Sequence, residues 1–279
     1  MRNMTKTVKI DNLDVKYFLE GEGDPMVLVH GWASNINEWD IIKDELKKRF
    51  TIYYFNLPGH GNTDEWNKDY SIENYSKFLY DFITKLGLDN ITLLGQSMGS
   101  SIIIDFVLKY GHQIKIKKVI LSSLVISSPS IFSKIATKIL KKYHFMNYTV
   151  GFVHNIVGDL KDNVYYQNFF MKFVCLKDSI YYKKIILSSK EGLRQVSKEA
   201  YVGCLISILN FNSQNILQKI FNESGFLLIY GKNDRLTHYK KFNNGGNSNI
   251  HILENSAHSP TREQKMEFFN ILDNAMSVK

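Results

Sequence analysis

The chain has 279 residues, of which 44% are hydrophobic and 13% aromatic, which is enough to bury a large core and excludes a disordered protein. Lysine and arginine outnumber aspartate and glutamate by 35 to 27, which gives a net charge of +8. No apolar run approaches the roughly 18 residues of a membrane span, and the polar stretch Met1–Ile10 is unlike a signal peptide. We therefore predict a cytoplasmic protein with no membrane span.

Short apolar strands alternate with helices through the first 123 residues. Strands are predicted at Val8–Ile10, Val15–Phe18, Met26–Val29, Thr51–Leu57, Ile91–Leu94 and Lys117–Leu121. Helices are predicted at Asn37–Phe50, Ile72–Leu86 and Ser100–Tyr110. The first two strands predict an antiparallel hairpin at the sheet edge, and the strands separated by helices predict a parallel sheet.

The alternation stops after the sixth strand. From about Ser127 to Asn222 the sequence is aromatic-rich and mainly helical, and strands resume only at Phe226–Tyr230 and Ile250–Leu253 before a terminal helix at Arg262–Met276. This pattern predicts one α/β core domain, formed by residues 1–123 and 225–279. An inserted helical cap is predicted at 124–224.

A nucleophile-elbow pattern follows the fifth strand. Gly95-Gln96-Ser97-Met98-Gly99 fits G-x-S-x-G between a strand and a helix, the context in which this pattern carries a reactive serine. The flanking glycines are required because the turn is too tight for a Cβ atom. The N–H of Met98, at the positive end of the following helix, is a predicted donor to an oxyanion formed beside Ser97.

A reactive serine needs a base and an acid from other loops. His258 follows the last strand and is the predicted general base, with His238 as the rival. Asp234 follows the seventh strand and is the predicted acid that orients the imidazole. The alternative is that Asp234 only caps its own turn and has no catalytic role. The loop Leu121–Pro129 contains no competing acid.

The chain resembles the α/β-hydrolase fold superfamily. The resemblance rests on motifs in family order at His30-Gly31-Trp32, Leu57-Pro58-Gly59-His60-Gly61, Gly95–Gly99, Gly231-Lys232-Asn233-Asp234 and Ala257-His258. It implies a mostly parallel sheet of about eight strands flanked by helices, with an inserted cap. It also implies that the backbone N–H of Trp32 is the second oxyanion donor. We predict that His30 is a structural imidazole, with a catalytic proton carrier as the alternative, and that no cofactor or metal is used.

Serine at position 97 selects among the chemistries of this fold. It favours hydrolysis of carboxylic esters through an acyl-serine, with thioesters as the alternative. We expect the acyl chains to be short to medium in length. Amide, lactone and carbon–carbon bond cleavage use the same groups and stay open. A non-catalytic ligand-binding protein is the alternative from another class, and nucleic-acid binding is not expected because no recognition motif is present.

One helix of the predicted cap carries an aromatic face. Tyr165, Phe169 and Phe170 are predicted, with Trp32, to line the substrate pocket, and packing against the core domain is the alternative. The isolated cysteines, Cys175 and Cys204, are predicted to be buried free thiols.

The predicted cap is also basic. Thirteen basic and six acidic residues lie between Leu124 and Ser224, which places +7 of the net charge there. The lysines of the predicted helix Ile131–Tyr143 lie on one side of it, at Lys134, Lys138, Lys141 and Lys142. A solvated face is one interpretation; the other is a landing surface for an acidic acyl carrier protein, which some esterases of this fold receive on a basic cap.

Overall fold

The structure is a computed structural model that describes residues 4–61, 63–64, 66–125, 149–212, 225–237 and 249–277. Its centre is one eight-stranded sheet. The strands are β1 (Met4–Ile10), β2 (Leu13–Glu20), β3 (Asp24–Val29), β4 (Phe50–Phe55), β5 (Ile91–Gln96), β6 (Ile116–Ser122), β7 (Phe226–Gly231) and β8 (Ile250–Leu253). Each of them overlaps a predicted strand, so the mostly parallel α/β sheet expected from the sequence is confirmed.

The strand order brings the chemically important loops to one edge. Across the sheet the order is β1-β2-β4-β3-β5-β6-β7-β8, with β1 and β2 paired as the predicted antiparallel hairpin. β2 is also antiparallel to β4, whereas all neighbours from β4 to β8 are parallel. Because parallel strands share one carboxyl edge, the loops after β3, β5, β7 and β8 place Trp32, Ser97, Asp234 and His258 on the same side.

Nine α-helices of the described chain surround or cover this sheet. They are α1 (Lys43–Leu46), α2 (Ile72–Lys85), α3 (Met98–Tyr110), α4 (Thr149–Leu160), α5 (Val164–Val174), α6 (Tyr182–Gln195), α7 (Lys198–Asn210), α8 (Pro260–Glu263) and α9 (Lys265–Ser277). The helix α2 begins where predicted, since the Ser71 Oγ accepts a hydrogen bond from the Asn74 N–H at 3.3 Å. Its buried Phe82 packs on Tyr17 and Phe55 of the sheet, with ring centroids 5.5 and 4.3 Å away.

Two predicted helices are interrupted. The stretch predicted as a helix at Asn37–Phe50 contains only a 3₁₀ turn, Ile36–Trp39, followed by α1. The Asn35 side chain starts that turn by accepting from the Asn37 N–H. The predicted terminal helix is divided between α8 and α9 at Gln264, where the backbone leaves helical angles next to the inward-turned side chain of Glu263.

Helices α4 to α7 lie between β6 and β7, in the segment predicted as a cap. The boundaries of that cap, 124–224, stay a prediction, and the helix predicted at Ile131–Tyr143 lies outside the described residues, as does His238. Cys175 and Cys204 are both buried and free, as predicted. None of the described helices combines the length and apolar character that crossing a bilayer requires.

The junction of β5 and α3 packs directly against β3. A Cβ atom on Gly99 would lie 2.0 Å from the Val29 carbonyl oxygen, and one on Gly95 would lie 2.6 Å from the Ser100 nitrogen. These neighbours are backbone atoms that cannot swing away. The helix α3 can therefore start directly above the sheet only with glycine at both positions.

Two buried histidines tie together the loops that follow β3 and β4. The His30 Nε2 accepts from the Leu57 N–H at 3.0 Å, so its Nδ1 carries the proton and donates to the Gly31 carbonyl at 2.9 Å. His60 lies beside it, with ring centroids 5.2 Å apart. Burial lowers the pKa of His30 to about 4 and that of His60 to about 3, which leaves both rings neutral at pH 7.

Replacement of Gly99 by alanine tests the close approach of α3 to β3. We expect Gly99→Ala to lower the free energy of unfolding by at least about 2 kcal/mol, because the backbone must shift to admit the methyl group. The matched control is Gly225→Ala, since a Cβ atom at Gly225 meets nothing within 4 Å. Urea unfolding of both variants provides the measurement, and equal stabilities would contradict the packing described.

The buried histidines predict an acid-sensitive fold. Since their pKa values are lowered on folding, the unfolded chain binds protons that the native chain excludes, and stability falls as the pH drops below 6.5. We expect His60→Gln to reduce the slope of unfolding free energy against pH near pH 5, by up to about 1.4 kcal/mol per pH unit. The exposed His112 provides the control, His112→Gln, and a His60 variant with the wild-type slope would contradict this prediction.

Candidate active site

Ser97 sits at the tip of the turn from β5 into α3 in a strained conformation. Its φ of 54° and ψ of −116° lie outside the regions that a residue with a side chain ordinarily occupies. The strain is held by a hydrogen bond from the Ser97 N–H to the Ser122 carbonyl at 2.8 Å and by the tight glycine contacts on either side. The side chain is half-buried at the carboxyl edge of the sheet.

Ser97, His258 and Asp234 form one hydrogen-bonded chain. The Ser97 Oγ lies 2.9 Å from the His258 Nε2, and the His258 Nδ1 lies 2.9 Å from an Asp234 carboxylate oxygen. An ionised carboxylate only accepts, so Nδ1 carries the proton and Nε2 is free to accept the serine proton. The structure therefore brings together the three residues that the sequence predicted as a triad.

Asp234 is held by its own turn as well as by His258. One carboxylate oxygen accepts from the N–H groups of Leu236 and Thr237, at 2.8 and 3.2 Å, and the other accepts from the Thr237 hydroxyl at 2.7 Å. Burial alone would raise the pKa of Asp234, but the neighbouring His258 and these hydrogen bonds lower it to about 2. Asp234 therefore both caps its own turn and hydrogen-bonds with the imidazole of His258.

The two predicted oxyanion donors are backbone N–H groups in segments next to Ser97. Met98 is the first residue of α3, and neither its N–H nor that of Trp32 donates to another described residue. The peptide that carries the Trp32 N–H is oriented by His30, which donates to its carbonyl, the Gly31 C=O. Since the peptide is trans, fixing that carbonyl also fixes the direction of the Trp32 N–H.

The triad opens into a cavity of about 330 Å³ whose wall is mainly apolar. It is lined by residues from the core and from α5, α6 and α7, among them Trp32, Val125, Tyr166, Phe170, Met171, Val174, Leu193 and Leu205. The Trp32 ring stacks on Tyr201 at 4.6 Å and meets Phe170 edge-on at 5.8 Å. Its Nε1 also donates to the Tyr201 carbonyl at 2.9 Å, which fixes the ring in the cavity wall.

The structure corrects the prediction for the aromatic helix. Tyr165 is 86% exposed and Phe169 is 58% exposed, and neither lines the cavity. Phe170 does line it, as predicted, together with its neighbour Tyr166, whose hydroxyl hydrogen-bonds with that of Tyr201 at 2.8 Å. The helix α5 is rotated so that the 166/170 face, rather than the 165/169 face, meets the cavity.

Sequence reasoning missed the charged residues that support the site. Glu263 is buried and accepts from the N–H groups of Ala257 and Ser259, on either side of His258, at 2.9 and 3.2 Å. The cavity wall also contains Glu38 and Arg262, both buried. Nothing in their spacing distinguishes these residues from surface charges, so no sequence signal would have found them.

Among the described residues, no three or more histidine, cysteine, aspartate or glutamate side chains cluster as they would around a metal ion.

Comparison with known proteins agrees with this architecture. A family model described as "alpha/beta hydrolase fold" matches residues 24–159. The chain is 28% identical over 128 residues to the pimeloyl-[acyl-carrier protein] methyl ester esterase of Citrobacter koseri, which covers 46% of this chain and 48% of that one. It is also 29% identical over 92 residues to an uncharacterized protein of Mycobacterium tuberculosis, of which it spans 27%. It therefore spans less than two-thirds of either relative.

Solved structures match nearly the whole chain. An esterase from Exiguobacterium antarcticum superposes with a TM-score of 0.75 at 20% identity, covering 98% of this chain and 100% of that one. A bromoperoxidase from Bacillus anthracis superposes with the same TM-score at 18% identity, covering 98% and 99%. At this identity the likeness concerns the fold, which proteins of different activity share. With its eight-stranded sheet, its elbow and the family model that matches residues 24–159, the chain has the α/β-hydrolase fold.

Proposed function

We propose that the protein is a serine hydrolase that cleaves carboxylic esters through an acyl-serine intermediate. The observation that carries the proposal is the hydrogen-bonded chain from Asp234 through His258 to Ser97, at the base of an apolar cavity. Relatives and structural neighbours named as esterases support the same chemistry. A protein that only binds a ligand has no need of this arrangement, which argues against the non-catalytic alternative.

The first half-reaction forms the acyl-enzyme. The Ser97 Oγ attacks the ester carbonyl carbon while the His258 Nε2 accepts the hydroxyl proton. The carbonyl oxygen becomes an oxyanion, and the N–H groups of Trp32 and Met98 are the donors that stabilise it. When the tetrahedral intermediate collapses, the carbon–oxygen bond to the alcohol breaks, and His258 gives its proton to the departing alkoxide.

The second half-reaction releases the acid. Water attacks the acyl-serine carbonyl carbon while His258 accepts a proton from it, and the same N–H groups stabilise the second oxyanion. When this intermediate collapses, the bond between the acyl carbon and the Ser97 Oγ breaks, and His258 returns the proton to Ser97. Throughout, the ionised Asp234 holds the imidazole tautomer and stabilises the imidazolium. Its low pKa, about 2, keeps it charged wherever His258 can act as a base.

A thioesterase or an acyl-carrier-protein methyl ester esterase is the second candidate. The +7 charge of residues 124–224 favours a large acidic substrate, and the Citrobacter relative is named as an esterase of that class. In this proposal the acyl carrier protein would bind the basic cap of a cytoplasmic enzyme while its acyl chain enters the cavity. The small-ester and carrier-protein candidates use the same triad. In a thioester the thiol of the carrier would leave, whereas in a methyl ester methanol would leave and the carrier would stay on the acyl group.

Removal of the Ser97 hydroxyl tests the nucleophile. We expect Ser97→Ala to lower kcat for p-nitrophenyl acetate by at least about 10⁴-fold and to abolish labelling by a fluorophosphonate. The control is Ser101→Ala on the same helix, whose hydroxyl has no hydrogen-bond partner among the described residues and should be dispensable. Turnover by Ser97→Ala at the wild-type rate would refute the mechanism. A wild-type protein that neither reacts with the label nor hydrolyses esters or thioesters would favour the ligand-binding alternative.

The size of the cavity predicts the acyl preference. At about 330 Å³ it lies at the small end of ligand sites, so kcat/KM for p-nitrophenyl esters from C2 to C12 should peak at about C4 to C8. Phe170→Ala should enlarge the cavity and move this maximum to longer chains. Phe169→Ala, on the exposed face of the same helix, is the control and should leave the maximum in place. A wild-type maximum at C12 would contradict the prediction.

A further inference from the structure

A buried ion pair lies in the wall of the otherwise apolar cavity. Arg262 and Glu38 are each 4% exposed, and the Arg262 Nη2 lies 3.3 Å from the Glu38 Oε1. Removing two charges from water is costly, and such a pair is often no more stabilising than apolar residues of similar volume. A gain in stability is therefore a weak explanation for this pair, and its other contacts indicate a different one.

Glu38 connects the pair to the loop after β3, which carries the proposed oxyanion donor, the Trp32 N–H, and is called the oxyanion loop below. Its second oxygen, Oε2, accepts from the Gly31 N–H at 2.8 Å. Gly31 is thus held on both sides, by Glu38 at its N–H and by His30 at its carbonyl. Since the next N–H along the chain is that of Trp32, the direction of this donor depends on the two bonds to Gly31.

Arg262 joins this loop to two other parts of the site. Its Nη2 donates to the Ser259 Oγ at 2.8 Å, in the residue directly after His258. Its Nη1 donates to the Ser188 Oγ at 3.3 Å, on α6. One guanidinium therefore contacts the loop of the general base, the helix that covers the cavity and, through Glu38, the oxyanion loop.

The helix α6 also packs directly against the oxyanion loop. A Cβ atom on Gly192 would lie 2.5 Å from the Ala33 carbonyl oxygen, so the helix and the loop touch backbone to backbone. The next residues of the loop are bound to the same helix, since Asn35 donates to Gln195 at 2.7 Å and Asn37 donates to Glu191 at 3.0 Å.

We propose that Arg262 is a positioning residue which, through Glu38 and Gly31, aligns the Trp32 N–H with the oxyanion formed at Ser97. This inference rests on the proposed function. The guanidinium contacts no reacting atom; it neutralises Glu38 in the buried wall and holds it where it accepts from Gly31. Its loss should weaken stabilisation of the transition state more than binding of the ester.

The first test replaces Arg262 with methionine, which keeps a long unbranched chain and removes the guanidinium. For p-nitrophenyl acetate we expect kcat to fall about 10- to 100-fold while KM changes less than about threefold, because a misplaced donor costs transition-state stabilisation. The control is Arg194→Met, an exposed arginine on α6, which should retain the wild-type kcat. Wild-type kcat in Arg262→Met, or a loss confined to KM, would overturn the inference.

Two double variants separate positioning from folding. Glu38→Gln/Arg262→Met removes both charges but keeps a side-chain oxygen for the Gly31 N–H, whereas Glu38→Ala/Arg262→Met removes that oxygen as well. We expect the glutamine variant to exceed the alanine variant in kcat by at least about tenfold at equal KM. Equal kcat values would overturn the inference, even if Arg262→Met alone does not fold. A wild-type protein without ester hydrolysis would instead contradict the proposed function, so the two failures are distinguishable.

Discussion

The close approach of α3 to the backbone of β3 is the constraint on which the site depends. Because Gly99 lies against the Val29 and His30 carbonyls, the helix begins immediately after β5 and forces Ser97 into its strained conformation. That position turns the Ser97 hydroxyl out of the sheet and brings the first N–H of α3 beside it. The strain is tolerated because the surrounding strands are buried and hydrogen-bonded on both sides.

The fold and the proposed triad were predictable because their signals are local and repeat along the chain. Each buried strand is a short apolar run, and the alternation with helices requires a parallel sheet, so the residues that follow the strands must meet at one edge. Ser97, Asp234 and His258 each follow such a strand directly. Their convergence was therefore a consequence of topology, and the structure adds the distances that join them.

The cavity wall was harder to predict because it depends on how distant elements pack. The sequence shows that α5 has aromatic residues four positions apart, which places them on one face of the helix. Two pairs have this spacing, Tyr165 with Phe169 and Tyr166 with Phe170, so the spacing alone does not select the face that meets the cavity. Only contact with Trp32 and Tyr201 selects the second pair. Glu38 and Arg262 lie 224 residues apart and carry no local signal, yet their pairing links the loop of Trp32 to the loop of His258.

A structure of the protein after reaction with a p-nitrophenyl alkylphosphonate tests the central claim most directly, since the bound phosphonyl group reproduces the tetrahedral intermediate. The account predicts a covalent bond to the Ser97 Oγ and a phosphoryl oxygen about 2.7–3.1 Å from the N–H groups of both Trp32 and Met98. A phosphonyl group attached to another residue, or a phosphoryl oxygen turned away from both N–H groups, would contradict it.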